Sequence, residues 1–475
     1  MCPLHASFVA SRGIWPRSRA AAALLPRRKL LSHHRLEACR HLQSKPLVAS
    51  TADYNYKLGK LPGATACKVQ LTPNGFKWPE LIDNNKADTA FLEIDIEQTQ
   101  TDVPWPSIQA NSARTKDTIT HYFEPNAAGR RHLDLSRLLP LECGDEVELI
   151  SEDGTEWHTS GSASLTTFFT NPPDIQDKRV LVLSPHPDDA EIAAYGLYTS
   201  SNADIVTITA GDAGKPKFGN LWDESGKQYR AKGRIRTIDS LVVPLLGGLK
   251  PEASRNLGYY DITLEDMHKN PFETVPPKHA DLEDPGYFRR FNFDTELRNR
   301  PFESSWRSLV ADVLKELEKT QPDIVVTPHP LLDSHKDHKF TTVALLEALK
   351  RWNRHCNIYL YNNHTTGNEA YPFGPRDGQM GLPPMDQHMI HPLYVHRLYS
   401  HPLSREIQRK KLVALEAHHD LRAFDVLDGS DVIKPPPGMD YYRRAGRPNE
   451  LFFLTDFAGV WGMCQQLLGQ PRTDT

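Results

Sequence analysis

The chain has 475 residues, enough for two domains with ample cores. Its 56 Lys/Arg and 60 Asp/Glu leave a net charge of −4, and no aromatic-basic face accompanies its one basic stretch, which excludes a nucleic-acid enzyme. No apolar run reaches the roughly 18 to 20 residues that span a bilayer, so membrane contact is at most peripheral. The six cysteines are scattered without CxxC spacing, which points to a reducing compartment and away from a cysteine metal site.

Residues 1–48 carry nine Lys/Arg against Glu37 alone, a balance of +8 that leaves the remainder near −12. Arg12, Arg17, Arg19, Arg27 and Arg28 among Ala and Ser give this arm the composition of a mitochondrial transit peptide, if the source is eukaryotic. A disordered tail and an upstream extension from a wrong start are the alternatives. Otherwise the expected compartment is the cytoplasm, including the inner face of a membrane.

Residues 49–172 read as a small all-β sandwich module. The segments 66–71, 90–96, 119–123, 146–150 and 165–169 alternate with period two or are rich in β-branched and aromatic residues, and Pro, Gly and Asn turns divide them. Trp78, Trp105, Trp157 and Tyr122 are its candidates for a glycan-stacking surface, although Trp in a sandwich is more often core. Residues 171–174, Asn-Pro-Pro-Asp, are the expected linker to a second unit, residues 173–475.

That unit opens with Arg179-Val180-Leu181-Val182-Leu183, too short and too β-branched for a helix, then Ser184-Pro185-His186-Pro187-Asp188-Asp189. A helix follows through Tyr195, with Gly196 as its expected stop. Strand, acidic loop and helix are the start of a Rossmann-like α/β domain, mostly parallel with flanking helices, whose ligands bind beyond the carboxyl ends of the strands. Residues 205–210 are the next strand. Residues 249–301 are polar and too long for an ordinary connection, so they are expected to wall a substrate cleft.

A helix from Ser305 to Leu317, with an apolar stripe at Leu309, Val313, Leu314 and Leu317, leads to a second strand run, Pro322–Pro328. His335-Lys336-Asp337-His338 and a helix over 340–349 follow. The strand 357–361 precedes a second polar insertion, 362–385, where Tyr371, Phe373 and Arg376 are candidates to stack on or clamp a sugar or phosphate.

If both strands share a sheet, His186, Asp189 and His338 meet as two imidazoles and one carboxylate. Three ligands leave a position free for water, as in catalytic zinc sites, and Asp188 is then the natural base. His335 stands on the same side of the turn as His338, where it can donate to an oxyanion, and Asp333 or Asp337 can orient an imidazole. The same ligands suit a non-haem Fe(II) centre, but the spare Asp188 favours hydrolysis.

The pair HPDD and HxDH resembles the PIG-L/LmbE family of zinc-dependent de-N-acetylases, which remove acetyl from N-acetylglucosamine-type sugars on larger conjugates. The resemblance implies His186, Asp189 and His338 as metal ligands, Asp188 as base and His335 as the oxyanion-stabilising group. The metal is Zn2+, with Fe2+ or another divalent ion as the alternative. Residues 205–214, ending Gly211-Asp212-Ala213-Gly214, are similar to the family's second strand and its sugar-bordering loop. Arg234 or Arg236 stands where members have a substrate-contacting arginine. Residues 411–418 resemble the closing helix, but His419-Asp420-Leu421-Arg422 replaces its usual Ser-Gln. With the β-module and residues 399–404, this is similar to members from lipopolysaccharide-core or surface-glycan clusters. The implied activity is acetate release from an N-acetylglucosamine-type sugar of a glycan or glycolipid. The alternatives are a glycan-binding protein with a vestigial metal site and an amidase acting on another small amide.

Overall fold

The computed structural model describes residues 50–80, 87–100, 105–152, 154–169, 172–365, 368, 370–385, 394–422 and 441–469. The basic arm 1–48 and Asn171 of the expected linker lie outside them. The protein is mixed α/β, with several antiparallel pairings.

Among the described residues, nine strands fall before residue 170: β1 (Ala64–Leu71), β2 (Gly75–Lys77), β3 (Thr89–Thr99), β4 (Ser107–Ser112), β5 (Thr118–Tyr122), β6 (Gly129–Asp134), β7 (Glu146–Glu152), β8 (Thr155–Trp157) and β9 (Gly161–Phe168). They form two antiparallel sheets, β1-β9-β3-β6 with β8 on β3, and β2-β7-β4-β5. Inward residues of both sheets, among them Ile94, Leu165, Ile108 and Leu149, close one apolar cluster. Trp78 and Trp157 are buried in that cluster, so neither offers a ring to a ligand. Trp105 lies beneath the Arg443 guanidinium, and Tyr122 packs against Gly374 and Gly378 too closely for a Cβ at either. The aromatic platform expected on this module is therefore spent on packing. β2, β4, β6 and β8 fall outside the expected strands: Ser, Gln, Asn, Arg and His occupy positions of β4 and β6, and β2 and β8 are only three residues long.

The third sheet contains β10 (Arg179–Ser184), β11 (Asn202–Thr209), β12 (Ser254–Tyr259), β13 (Ile324–Pro328), β14 (Asn357–Tyr361), β15 (Arg397–Pro402) and β16 (Asn449–Thr455), in the order β12-β11-β10-β13-β14-β16-β15. The first five are mutually parallel, and β16 is antiparallel to both β14 and β15. The helices are α1 (Asp189–Thr199), α2 (Ser225–Val242), α3 (Leu264–Lys269), α4 (Thr295–Asn299), α5 (Trp306–Thr320), α6 (Lys336–Trp352), α7 (Arg405–Ala417), α8 (Tyr441–Ala445) and α9 (Phe457–Leu467). Alternation along the strands separates two cores. Leu181, Leu183, Val206 and Val325 pack with α5, α6 and α9, whereas Val180, Val182, Ile205 and Val326 pack with α1 and α7. On α5, Leu309, Val310, Val313 and Leu317 are fully buried, each burial stabilising by roughly 1.5–3 kcal/mol.

Two expectations are corrected here. Residues 249–301 are more than a wall, because they contain β12, an edge strand of the parallel array. Its sequence, Ser-Arg-Asn-Leu-Gly-Tyr, hides the strand, yet every residue is buried because the polar groups are paired. Arg255 Nε donates to Glu316 Oε2 at 2.7 Å, and Asn292 Oδ1 accepts from the Asn256 N–H at 2.8 Å. Gly196 does not end its helix either. The backbone leaves helical geometry at Ala194 (φ −142°) and resumes, because the buried Glu450 carboxylate accepts the N–H groups of Gly196 (2.8 Å) and Leu197 (3.0 Å).

The chain leaves β10 outward to β11 and β12, then crosses back to β13 on the other side of β10. The carboxyl ends of β10 and β13 therefore flank a topological switch point, where open α/β sheets bind ligands.

Candidate metal centre

At that switch point the loop after β10 turns sharply into α1. Ser184 Oγ donates to the His186 carbonyl at 2.6 Å and accepts from the Ala190 N–H, while Thr209 Oγ1 donates to the Pro185 carbonyl at 2.9 Å. Asp188 adopts φ 125°, a strained value for a residue with a Cβ, costing on the order of 1–3 kcal/mol. The strain sends the side chains of Asp188 and Asp189 in different directions. Asp189 faces His186 and His338, whereas Asp188 faces Arg236.

The three donors His186 Nδ1, Asp189 Oδ2 and His338 Nε2 form a triangle with all three sides 3.2 Å. Tetrahedral coordination with bonds of about 2.0–2.1 Å places neighbouring donors about 3.3 Å apart. Asp333 Oδ2 lies 3.0 Å from His338 Nδ1 and accepts its N–H, which turns Nε2 inward. On His186 the outer nitrogen, Nε2, lies 3.0 Å from Asp261 Oδ1 and 3.4 Å from Asp337 Oδ2. Nδ1 faces inward, toward Asp189 Oδ2. Two inward ring nitrogens and a carboxylate oxygen converge at tetrahedral spacing in a strongly negative surrounding, so the residues present fit a divalent cation in place of the protons they otherwise hold. Among the described residues, His335 with His186 and His338, His364 with Asp189 and His338, and Asp261 with Asp337 and His186 are further groupings with donor atoms within 4.8 Å.

Burial and charge divide the site electrostatically. Burial opposes a charge on His338, but Asp189 and Asp333 outweigh it and raise its pKa to about 10; the same field attracts a cation. Asp189 is held well below the usual carboxylate range, since its burial is overcome by His338 and His186. Burial raises Asp188 to about 6, even with Arg236 Nη2 at 3.1 Å from its Oδ2. Burial lowers His335 to about 3 and keeps it neutral, helped by the neighbouring imidazoles. Its Nδ1 accepts the Asp337 N–H at the start of α6, so the proton sits on Nε2.

The structure separates the remaining sequence candidates. Arg236 is buried in the site, donating to Asp188, the Pro187 carbonyl and the Gly211 carbonyl, with Asp420 Oδ2 3.4 Å away. Arg234 is exposed and lies over the Phe291 ring, which removes it as the site arginine. Asp212 is buried behind the centre, where Oδ1 accepts the Asp261 N–H at 2.8 Å and burial raises its pKa to about 7. Tyr371 does not offer its ring to a ligand: it is buried, and its hydroxyl donates to the Gly381 carbonyl at 2.6 Å. Arg376 is exposed, and its carbonyl accepts from Gln408 of α7; it joins no part of the cluster.

Sequence reasoning missed Asp261, Asn363 and His364. Asn363 Nδ2 donates to Asp189 Oδ1 at 2.7 Å, and both its N–H and that of His364 donate to Asp333 Oδ2. All three follow directly on the carboxyl ends of parallel strands, β12 and β14, which is the signal that would have found them.

The comparisons bear on this geometry. Residues 181–349 match the family described as GlcNAc-PI de-N-acetylase, PIG-L. The chain carries a PIG-L family domain. The match spans both metal motifs and leaves out the β-module and the antiparallel strands β15 and β16. No curated protein matches the chain. Among solved structures it is similar to N,N'-diacetylchitobiose deacetylase from Pyrococcus horikoshii, at 18% identity over 61% of this chain and 87% of that one, with TM-score 0.33. It is also similar to A40926 pseudoaglycone deacetylase Dbv21 (18% identity, 58% and 97% covered, TM-score 0.32). A third is GalB, a 4-carboxy-2-hydroxymuconate hydratase from Pseudomonas putida KT2440 (14%, 59% and 95%, 0.29). At these scores none of the three decides the reaction.

Proposed function

We propose that the protein is a zinc-dependent de-N-acetylase acting on an N-acetylglucosamine-type sugar of a glycan or glycolipid, such as a lipopolysaccharide core or a lipid-linked glycan. The observation that carries the reading is the 3.2 Å triangle of His186, Asp189 and His338 with a spare carboxylate, Asp188, beside it. The PIG-L domain supports the class of reaction and the acetamido sugar.

When bound, a divalent ion supplies Lewis acidity to the acyl carbonyl and to the attacking water. Asp188 takes the proton of that water. Its pKa near 6 leaves it ionised at neutral pH yet basic enough to accept, and Arg236 fixes Oδ2 while Oδ1 has no hydrogen bond among the described residues. His335 presents Nε2–H as a neutral donor to the oxygen that gains charge as the acyl carbon becomes tetrahedral. Asp188, now protonated, then delivers its proton to the departing sugar amine. Asn363 and Asp333 hold Asp189 and His338 in place throughout.

The test is acetate release from N-acetylglucosamine-containing glycans by metal-loaded protein. Release dependent on the metal supports the reading. A protein that holds the metal and releases acetate from none of them overturns it.

A further inference from the structure

The face of the sheet β1-β9-β3-β6 turned away from the β-module's own core carries a groove of about 190 Å³ that the metal centre does not use. The turn Leu58–Lys60 arches over it. Its floor includes Glu93, His132, Ser164 and Thr166, and Lys57 and Lys60 stand exposed at its rim. Glu93 and His132 are direct partners in the β3–β6 register, so their side chains emerge on one face.

His132 is the unusual member. Its side chain is 2% exposed, it lines the groove, and among the described residues neither ring nitrogen has a partner at hydrogen-bond distance. The nearest carboxylate oxygen, Glu93 Oε2, is 3.7 Å from Nε2, beyond hydrogen-bond reach. Leaving a buried polar group unpaired is expensive, and this site leaves two. Burial keeps the ring neutral, so it offers one N–H and one lone pair.

We propose that this groove is a sugar-binding subsite that takes a single hexose-sized residue through its vicinal hydroxyls. A pair of hydroxyls both donates and accepts, which is what a neutral imidazole between a carboxylate, two side-chain hydroxyls and two ammonium groups requires. A phosphate brings mainly acceptors and a negative charge that would face Glu93. A free amine would face Lys57 and Lys60. The size limits the ligand to one ring, since the groove is smaller than the roughly 300 Å³ at which drug-sized pockets begin. The subsite stands whether or not the metal centre deacetylates.

The experiment uses full-length, metal-loaded protein and saturation-transfer NMR with the methyl glycosides of glucose, galactose and mannose, none of which carries an acetamido group. Inorganic phosphate, followed by its own resonance, is the anionic comparison. At least one glycoside is expected to bind, and Ser164→Phe, which fills the groove from a half-buried position, is expected to weaken it at least about tenfold. His132→Leu is expected to abolish binding while raising the thermal midpoint, because the unpaired nitrogens go with it. Asp188→Asn, at the other site, is expected to leave glycoside binding unchanged. The proposal is overturned if no glycoside binds, if binding survives Ser164→Phe, or if phosphate binds and the glycosides do not.

Discussion

His338 Nε2 stands 3.2 Å from His186 Nδ1, and the far nitrogen of each ring lies beside a carboxylate, Asp333 for His338 and Asp337 with Asp261 for His186. Two inward nitrogens this close, beside the Asp189 carboxylate, are held by protons or by a cation that replaces them. The full-length protein is therefore expected to bind one divalent ion per chain, and a chelator is expected to lower its thermal midpoint through the lost linkage. His338→Ala should abolish binding. Asp333→Asn keeps the shape but replaces an acceptor with an amide, and should weaken binding about 10- to 100-fold. Elemental analysis and metal titration read both, and a metal content unchanged in His338→Ala would remove the centre.

Asp188 and Asp189 are neighbours in sequence with separate tasks in space. Asp189 completes the donor triangle, and Asp188 lies against Arg236. Asp188→Asn is expected to retain the metal and lose about 10²- to 10⁴-fold in turnover on an N-acetylated sugar. Full turnover in that variant would take the base role away from Asp188.

The two motifs that the structure brings together were legible because each follows an apolar strand, and because the pairing of His with Asp at short spacing is uncommon. The residues that complete the site follow polar or aromatic strands whose burial depends on distant partners. Asp261 follows β12, whose Arg255 is neutralised by Glu316 and Asp204, and no local pattern announces those pairings. Asn363 and His364 begin a segment that reads as an ordinary polar insertion until β14 is seen beside β13. Arg234 and Arg236 were indistinguishable in sequence, and only the helical phase of α2 turns one inward and the other to solvent. The loop aromatics misled for the opposite reason, since burial in packing consumed them.

Behind the site, Lys411 Nζ and Glu450 Oε1 form a fully buried ion pair at 2.7 Å, and the same carboxylate holds the two N–H groups where α1 breaks at Ala194. Lys411→Met leaves that carboxylate uncompensated and should destabilise by about 3–5 kcal/mol. The double variant Lys411→Met/Glu450→Gln should recover part of the loss, because no charge is left unpaired and the amide oxygen still accepts one of the two N–H groups. Urea unfolding of the four proteins in the cycle measures the coupling, and additive losses would show that the pair does not act as a unit.

Acid sensitivity should be traceable to His329. It is fully buried, and its Nδ1 accepts the N–H groups of Leu331 and Leu332 at 3.2 Å each. Burial drives its pKa down to about 3, the nearby Asp333 only partly opposing this. The folded state thus refuses a proton that the unfolded chain accepts near pH 6.5. Stability from this group is complete above pH 6.5 and falls as the pH drops from there toward 3, by about 2 kcal/mol at pH 5. His329→Asn places an amide oxygen where Nδ1 accepts and has no proton to gain. Whatever its own stability, the variant should lose about 2 kcal/mol less than the parent between pH 7.5 and pH 5. Urea unfolding at the two pH values decides it, and equal losses in both proteins would mean that His329 is already protonated in the fold.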